Sequence, residues 1–420
     1  MNIKIFDITK KHKKVLENFS YITLLQFFLM LSPLITYPYL VRVLGMDLYG
    51  ILISAQVLAS YGTILVNFGT DGVCAKHVSV YRDDKEKLSE IVCNILGART
   101  VLWLLGLFLY MSVVFIIPGY RTYWLLFLLT YGATVDVWLF PQYFFQGIEN
   151  MKTSTLITLG IKLFFILLVF FLVKGPEDYL FVPYLYFIGY LFGGLISLYL
   201  IFIKMKIHFC RPKKKHMFYY LKESSPIFAS DMICTIKDKL NYFIISSSSL
   251  SDVVIYDLGV KLTALCARPV SIVSTVLFPK FARNHNVNQI KKVLFSLCLF
   301  VILLVVSINI FLPFIVDFFL NRQIDLVPLR IFTLAPIFLT VSSYLYTNVF
   351  LAYGYNAYAL KSILVTTMGY LMLLFVIFIT KNTQHLISYT ILAVASYFIE
   401  FVYRIYLSRR IVKKESQEGV

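Results

Sequence analysis

Twelve long apolar runs, spaced along 420 residues, leave this chain few ways to fold. An α-helix needs about 20 mainly apolar residues to cross the hydrocarbon of a bilayer. Runs of that length fall at 18–41, 48–70, 88–116, 123–146, 153–173, 178–203, 224–248, 253–276, 293–320, 328–352, 362–380 and 386–408. Hydrophobic residues make up 59% of the chain and charged residues 15%, against about 25% charged in soluble domains. That much apolar surface exceeds what a globular core can bury. A cytosolic enzyme, a secreted domain and a nucleic-acid-binding protein are thereby excluded. The seventh and eighth runs are the least apolar, since they hold KDK and ARP; for them the alternative to spanning is a pair of interfacial helices. The start, MNIKIFDITKKHKK, is polar and basic, and the first apolar run is long enough to stay as a span, so no cleavable signal peptide is expected.

The net charge of +17 has a topological explanation. With both termini on one side, the connections on that side carry 26 Lys and Arg and the opposite ones 5, namely Arg42, Arg121, Lys174, Arg322 and Lys381. Such a bias places both ends in the cytoplasm. The longest connection, basic and internal, divides the spans six and six. The expected organisation is a six-helix bundle over 1–203, a cytoplasmic linker over 204–223, a second six-helix bundle over 224–408 and a tail over 409–420. An offset of 207 aligns Tyr49 with Tyr256 and Gly147 with Gly354, which suggests two bundles of parallel topology.

Eight basic residues fall inside spans: Arg99, Lys162, Lys237, Lys239, Lys261, Arg268, Arg330 and Arg404. A charge at mid-membrane costs roughly 2.5–3.5 kcal/mol on insertion scales, so each needs a partner, water or a ligand. Arg330 can snorkel from a span end, and Arg404 lies one helical turn from Glu400. Lys261 lies one turn from Asp257; Arg268, on the same face, has no acid on its own helix. The remaining six cations face four acids, Asp136, Asp231, Asp238 and Asp257. Either these groups pair across each bundle and lock packing, or a surplus of cations faces water and an anionic ligand. The count favours the surplus, with Arg99, Lys162, Lys237, Lys261 and Arg268 as binding residues. Asp136 lies near the centre of its span, five residues before Pro141, where the helix can kink. Arg suits bidentate bonds to phosphate oxygens, and Lys adds a compact charge.

The segment 38–69 resembles the start of Wzx-type flippases of O-antigen and polysaccharide repeat units. It supplies Pro38-Tyr39-Leu40, Arg42, Leu44-Gly45, Tyr49-Gly50, Gln56 and Asn67-Phe68-Gly69. PQYFFQGIENMK at 141–152 is similar to that family's helix ending in FQGxE. These motifs cover about 45 residues; the second half matches in layout only. The resemblance implies the fold of the multidrug/oligosaccharidyl-lipid/polysaccharide exporters: an all-α polytopic membrane protein with two six-helix bundles around a central cavity. It implies flipping of undecaprenyl-diphosphate-linked oligosaccharide from the cytoplasmic to the periplasmic leaflet of a bacterial inner membrane, by alternating access. It further implies a monomer among membrane lipids, with the polymerase and chain-length regulator of the same pathway as partners, and no cofactor or nucleic acid. Ion coupling occurs within that superfamily, and Asp136 and Asp238 are the carboxylates expected to serve it here.

Two other functions compete. A cation-coupled multidrug exporter would share the fold but call for an acid-rich cavity. A polyprenyl-linked polysaccharide polymerase would need a large outer loop, whereas every outer connection here is short and the six histidines avoid span interiors. The six cysteines show no metal-binding spacing and no GxxxxGK[ST] motif occurs, so neither a metal nor ATP hydrolysis is expected, and the chain does not read as an enzyme.

Overall fold

The computed structural model describes residues 2–283, 287–382 and 384–418. Residue 1 of the N-terminal tail, 284–286 of an inner connection, 383 of the last outer turn and 419–420 of the tail lie outside the described residues. Among the described residues the chain is helical, with no strand. In order the α-helices are α1 (Asn2–Asn67), α2 (Thr70–Val80), α3 (Lys85–Ile116), α4 (Pro118–Arg121), α5 (Trp124–Gly132), α6 (Val135–Leu139), α7 (Gln142–Gly147), α8 (Met151–Leu172), α9 (Phe181–Tyr199), α10 (Lys214–Ser248), α11 (Leu250–Arg283), α12 (Val287–Leu320), α13 (Val327–Phe332), α14 (Ala335–Leu345), α15 (Asn356–Ile379) and α16 (Leu386–Glu418).

Ten helical stretches among the described residues are long and apolar enough to cross a membrane. Two features separate this number from the twelve runs of the sequence. The stretch Leu31–Val80 carries two of those runs. It is folded at Gly45, whose φ of 80° and ψ of 164° only glycine adopts without strain. The Tyr37 and Tyr49 rings, either side of it, lie 5.0 Å apart edge to face; in an unbroken helix their positions would be about 18 Å apart. The other feature is α10, whose Lys237, Asp238 and Lys239 make it too polar to qualify.

The chain divides into two compact units, Met1–Met232 and Ile233–Val420, with the boundary inside α10. In the first, α2, α3 and α7 enclose a core that includes Cys74, Ile91, Tyr143, Phe144 and Phe145. The basic segment after α9 is stitched to α3 rather than hanging free. The backbone N–H of His208 donates to Ser89 Oγ at 3.0 Å and that of Lys213 to Asn94 Oδ1 at 2.7 Å. In the second unit, parts of α11, α12, α14 and α16 surround Val270, Val301, Tyr344 and Leu407.

Each unit contains one interrupted span. In the first, α5 gives way to α6 at Ala133–Thr134, and α6 to α7 at Phe140–Pro141. The second interruption is the kink expected near Pro141; the first has no proline behind it. In the second unit, α13 gives way to α14 at Thr333–Leu334. Both interruptions use a threonine in the same manner. Thr134 Oγ1 accepts from Trp103 Nε1 at 2.9 Å, and Thr333 Oγ1 accepts from Asn309 Nδ2 at 2.7 Å. Each threonine also donates back to the preceding turn, to Tyr131 O and Arg330 O. The two threonines are 199 positions apart, not the 207 of the sequence alignment. The turns that contain Gly147 and Gly354 differ in backbone. The left-handed residue of the second unit's turn is Gly354, but that of the first is Glu149, two residues beyond Gly147.

Candidate functional site

In the first unit Arg99 is 1% exposed, and its guanidinium is held by partners within the unit itself. Nη2 lies 2.8 Å from Asp71 Oδ1 and donates to Asn67 Oδ1 at 3.1 Å and Thr70 Oγ1 at 2.7 Å. Nε also reaches Thr70 Oγ1 at 3.1 Å, and Nη1 donates to the Val137 carbonyl at 2.8 Å. Arg99 therefore clasps the turn between α1 and α2, where Phe68 and Gly69 take left-handed φ of 47° and 70°, to the backbone just beyond Asp136. Asp71 was absent from the count of four intramembrane acids because the sequence placed it in a connection; it lies in the first turn of α2.

Asp136 and Lys162 line a common cavity of about 340 Å³ inside this unit, together with Gln56 and Ser60 of α1 and Tyr186 and Tyr190 of α9. They do not form an ion pair. Lys162 Nζ donates to Tyr190 Oη at 2.6 Å and sits over the Tyr186 and Tyr190 rings at 5.0 and 5.1 Å. Those rings run nearly parallel, 6.0 Å apart, and Phe165 stacks on Tyr186 from behind. A cation over aromatic faces is held electrostatically without losing its charge. The Asp136 carboxylate has no hydrogen-bond or ion-pair partner among the described residues.

In the second unit Lys237 is 9% exposed. Its Nζ lies 3.2 Å from Asp238 Oδ1 and 3.4 Å from Glu400 Oε2, over the Tyr397 ring. Glu400 Oε1 takes Arg404 Nη1 at 2.7 Å and accepts from Ser342 Oγ at 2.9 Å. Arg404 goes on to the Ser342 carbonyl at 3.2 Å and Ser362 Oγ at 3.2 Å. Four helices, α10, α14, α15 and α16, are thus joined by one buried polar network. The Glu400–Arg404 pair was legible from its spacing; the link to Lys237, 163 positions away, was not.

On α11 Lys261 pairs with Asp257, as their one-turn spacing predicts, and Asp257 also accepts from Tyr242 Oη at 3.0 Å. Arg268 is exposed on the same helix. Lys239 stands over the Tyr242 ring at 5.2 Å. Asp71 and Glu400, both outside the four acids counted from the sequence, change that balance. Asp71 and Glu400 neutralise Arg99 and share in Lys237, whereas Lys162 and Lys239 are held by tyrosine rings. Among the described residues no cluster of His, Cys, Asp and Glu could hold a metal ion.

Comparison with known proteins gives a consistent picture. A family described as "Polysaccharide biosynthesis protein" matches residues 15–285. A relative from Escherichia coli (strain K12) named "Putative O-antigen transporter" is 28% identical over 182 residues, 43% of this chain and 44% of the relative. One of the same name from Shigella dysenteriae is 26% identical over 226 residues, 51% of this chain and 54% of the relative. The chain thus spans about half the length of the curated relatives it matches. Among solved structures, the lipid II flippase MurJ in an inward closed conformation superposes with a TM-score of 0.73 at 14% identity, over 92% of this chain and 87% of that one. An inward-facing multidrug resistance MATE family transporter of the MOP superfamily gives 0.65 at 15%, over 91% and 99%. At such identities the likeness is one of fold.

Proposed function

The chain belongs to the polysaccharide biosynthesis protein family, and from that premise we propose that it is a lipid-linked oligosaccharide flippase. It moves undecaprenyl-diphosphate-linked repeat units from the cytoplasmic to the periplasmic leaflet of the bacterial inner membrane by alternating access, without enzymatic turnover. In this reading twelve segments cross the membrane, α10 and both arms of α1 included, and both termini are cytoplasmic. The protein acts as a monomer beside the polymerase and chain-length regulator of its pathway.

The observation that carries the reading is the cavity of about 340 Å³ inside a membrane-spanning unit, which brings Lys162 and Asp136 to one wall without a direct ion-pair contact between them. An intramembrane charge of this kind marks a substrate or ion path by default. Lys162, Lys261 and Arg268 keep enough exposure to meet a polar head group. Arg99 and Lys237 reach a ligand only by opening the internal pairs described above. Asp136 and Asp238 are the carboxylates assigned to ion coupling. The MATE-like fold also suits a multidrug exporter, but this cavity sets Lys162 against its one carboxylate, Asp136, and so lacks the acid excess that cationic ligands call for.

Deletion of the gene tests the proposal. Lipid-linked repeat units accumulate on the cytoplasmic leaflet if it is right, and their distribution is unchanged, with altered drug sensitivity, if the exporter reading holds instead.

A further inference from the structure

We propose that the cavity of the first unit is a saccharide subsite that takes a single neutral pyranose ring of the transported oligosaccharide. The inference rests on the flippase reading and names the part of the substrate that this cavity meets. A bare anion is opposed by Asp136 and a bare cation by Lys162, since both charges line one cavity with no direct ion-pair contact between them. What suits separated charges of opposite sign is a neutral ligand rich in groups that both donate and accept. Sugar hydroxyls are such groups. An ionised carboxylate only accepts and an ammonium only donates, while a serine hydroxyl and a glutamine amide do both. All four kinds stand in this wall, as Asp136, Lys162, Ser60 and Gln56.

The remaining features agree. Lys162 is fixed by Tyr190 Oη at 2.6 Å and by two ring faces, so it is pre-positioned rather than ordered on binding. Asp136 arrives with its acceptor capacity unspent. A buried acceptor without a partner is costly, and a ligand hydroxyl relieves that cost. Size allows it: a cavity of 340 Å³ has the space of about eleven waters at about 30 Å³ each, and the dozen bonded non-hydrogen atoms of a hexopyranose take up less than that.

The structure supplies its own reporter. Thr134, beside Asp136 on the cavity wall, accepts from Trp103 Nε1, and Trp103 stacks on Trp138 at 4.7 Å. The sequence has three tryptophans, so Trp124→Phe leaves this pair as the sole emitters. In that background the purified full chain in nanodiscs is titrated with methyl glycosides of glucose, galactose, mannose and N-acetylglucosamine. At least one is expected to change the emission saturably at millimolar concentration, with binding confirmed by saturation-transfer NMR. Asp136→Asn, which is nearly isosteric, and Lys162→Met should each weaken binding about tenfold or more. Ser60→Leu, which fills the cavity, should abolish it, and Lys174→Met on the surface should leave it intact. Absence of glycoside binding overturns the subsite, as does binding that survives all three cavity substitutions or a response to sodium alone. Translocation of lipid-linked oligosaccharide is followed in the same preparations. Translocation without glycoside binding overturns the subsite only, whereas glycoside binding without translocation overturns the flippase reading and leaves the subsite standing.

Discussion

Arg99 on α3 and Asp71 on α2 meet at 2.8 Å, and through that contact a left-handed break between two helices becomes a fixed structure. Removing one member of a buried pair strands the other and costs up to about 3–5 kcal/mol. Asp71 keeps 33% side-chain exposure, which softens the penalty. Arg99→Met is expected to lower the thermal unfolding midpoint in detergent clearly. Adding Asp71→Asn to Arg99→Met should restore part of the loss. No recovery in the double variant would show that the hydrogen bonds to Thr70 and Val137, rather than the charge pair, hold the break.

Glu400 stands between two cations, Lys237 and Arg404, with all three side chains buried or nearly so. Glu400→Gln leaves two positive charges facing a neutral amide and should destabilise the second unit by several kcal/mol, on the order of the 3–5 kcal/mol of a broken buried pair. Arg404→Met in the same background should recover more stability than Lys237→Met, because Lys237 retains the Asp238 carboxylate at 3.2 Å, whereas Arg404 retains only the neutral oxygens of Ser342 and Ser362. Detergent melting curves of the three variants make the comparison.

The helical, membrane-spanning character was legible because it rests on the length of apolar runs, a property local to each segment. So was the Lys261–Asp257 pair, one helical turn apart. The charge partners that escaped are those set by tertiary packing. Asp71 is 28 positions from Arg99 and Glu400 is 163 from Lys237, and no periodicity on one helix reports on either. The interruption at Ala133–Thr134 also escaped, since no proline marks it; there Thr134 Oγ1 accepts from Trp103 on another helix. Within the candidate site, Asp136 and Lys162 were both named from the sequence. That tyrosines hold the lysine, leaving the carboxylate unspent, needed coordinates.

The orientation can be read directly. Gly119→Cys and Gln384→Cys should react with impermeant thiol reagents in intact spheroplasts, and Lys213→Cys should react only after lysis. This follows from the excess of basic residues on one side. Labelling of Lys213→Cys from outside would invert the topology.

Arg268 is exposed on α11 in a chain that spans the membrane, where an arginine near ligand or headgroup can form two parallel bonds to phosphate. Arg268→Ala is expected to abolish surface polysaccharide at normal protein abundance, and Arg268→Lys to keep part of it. Full polysaccharide in the alanine variant would remove Arg268 from the ligand path.

The central claim is that this chain alone carries a lipid-linked oligosaccharide across a bilayer. The direct measurement uses proteoliposomes holding the purified protein and a fluorescent undecaprenyl-diphosphate oligosaccharide, with a membrane-impermeant lectin added outside. The account predicts that, after the outer pool is captured, inner-leaflet substrate continues to reach the lectin, and that the Asp136→Asn and Lys162→Met variants slow this at least tenfold. Capture that stops at the outer-leaflet fraction, as in protein-free vesicles, would contradict it.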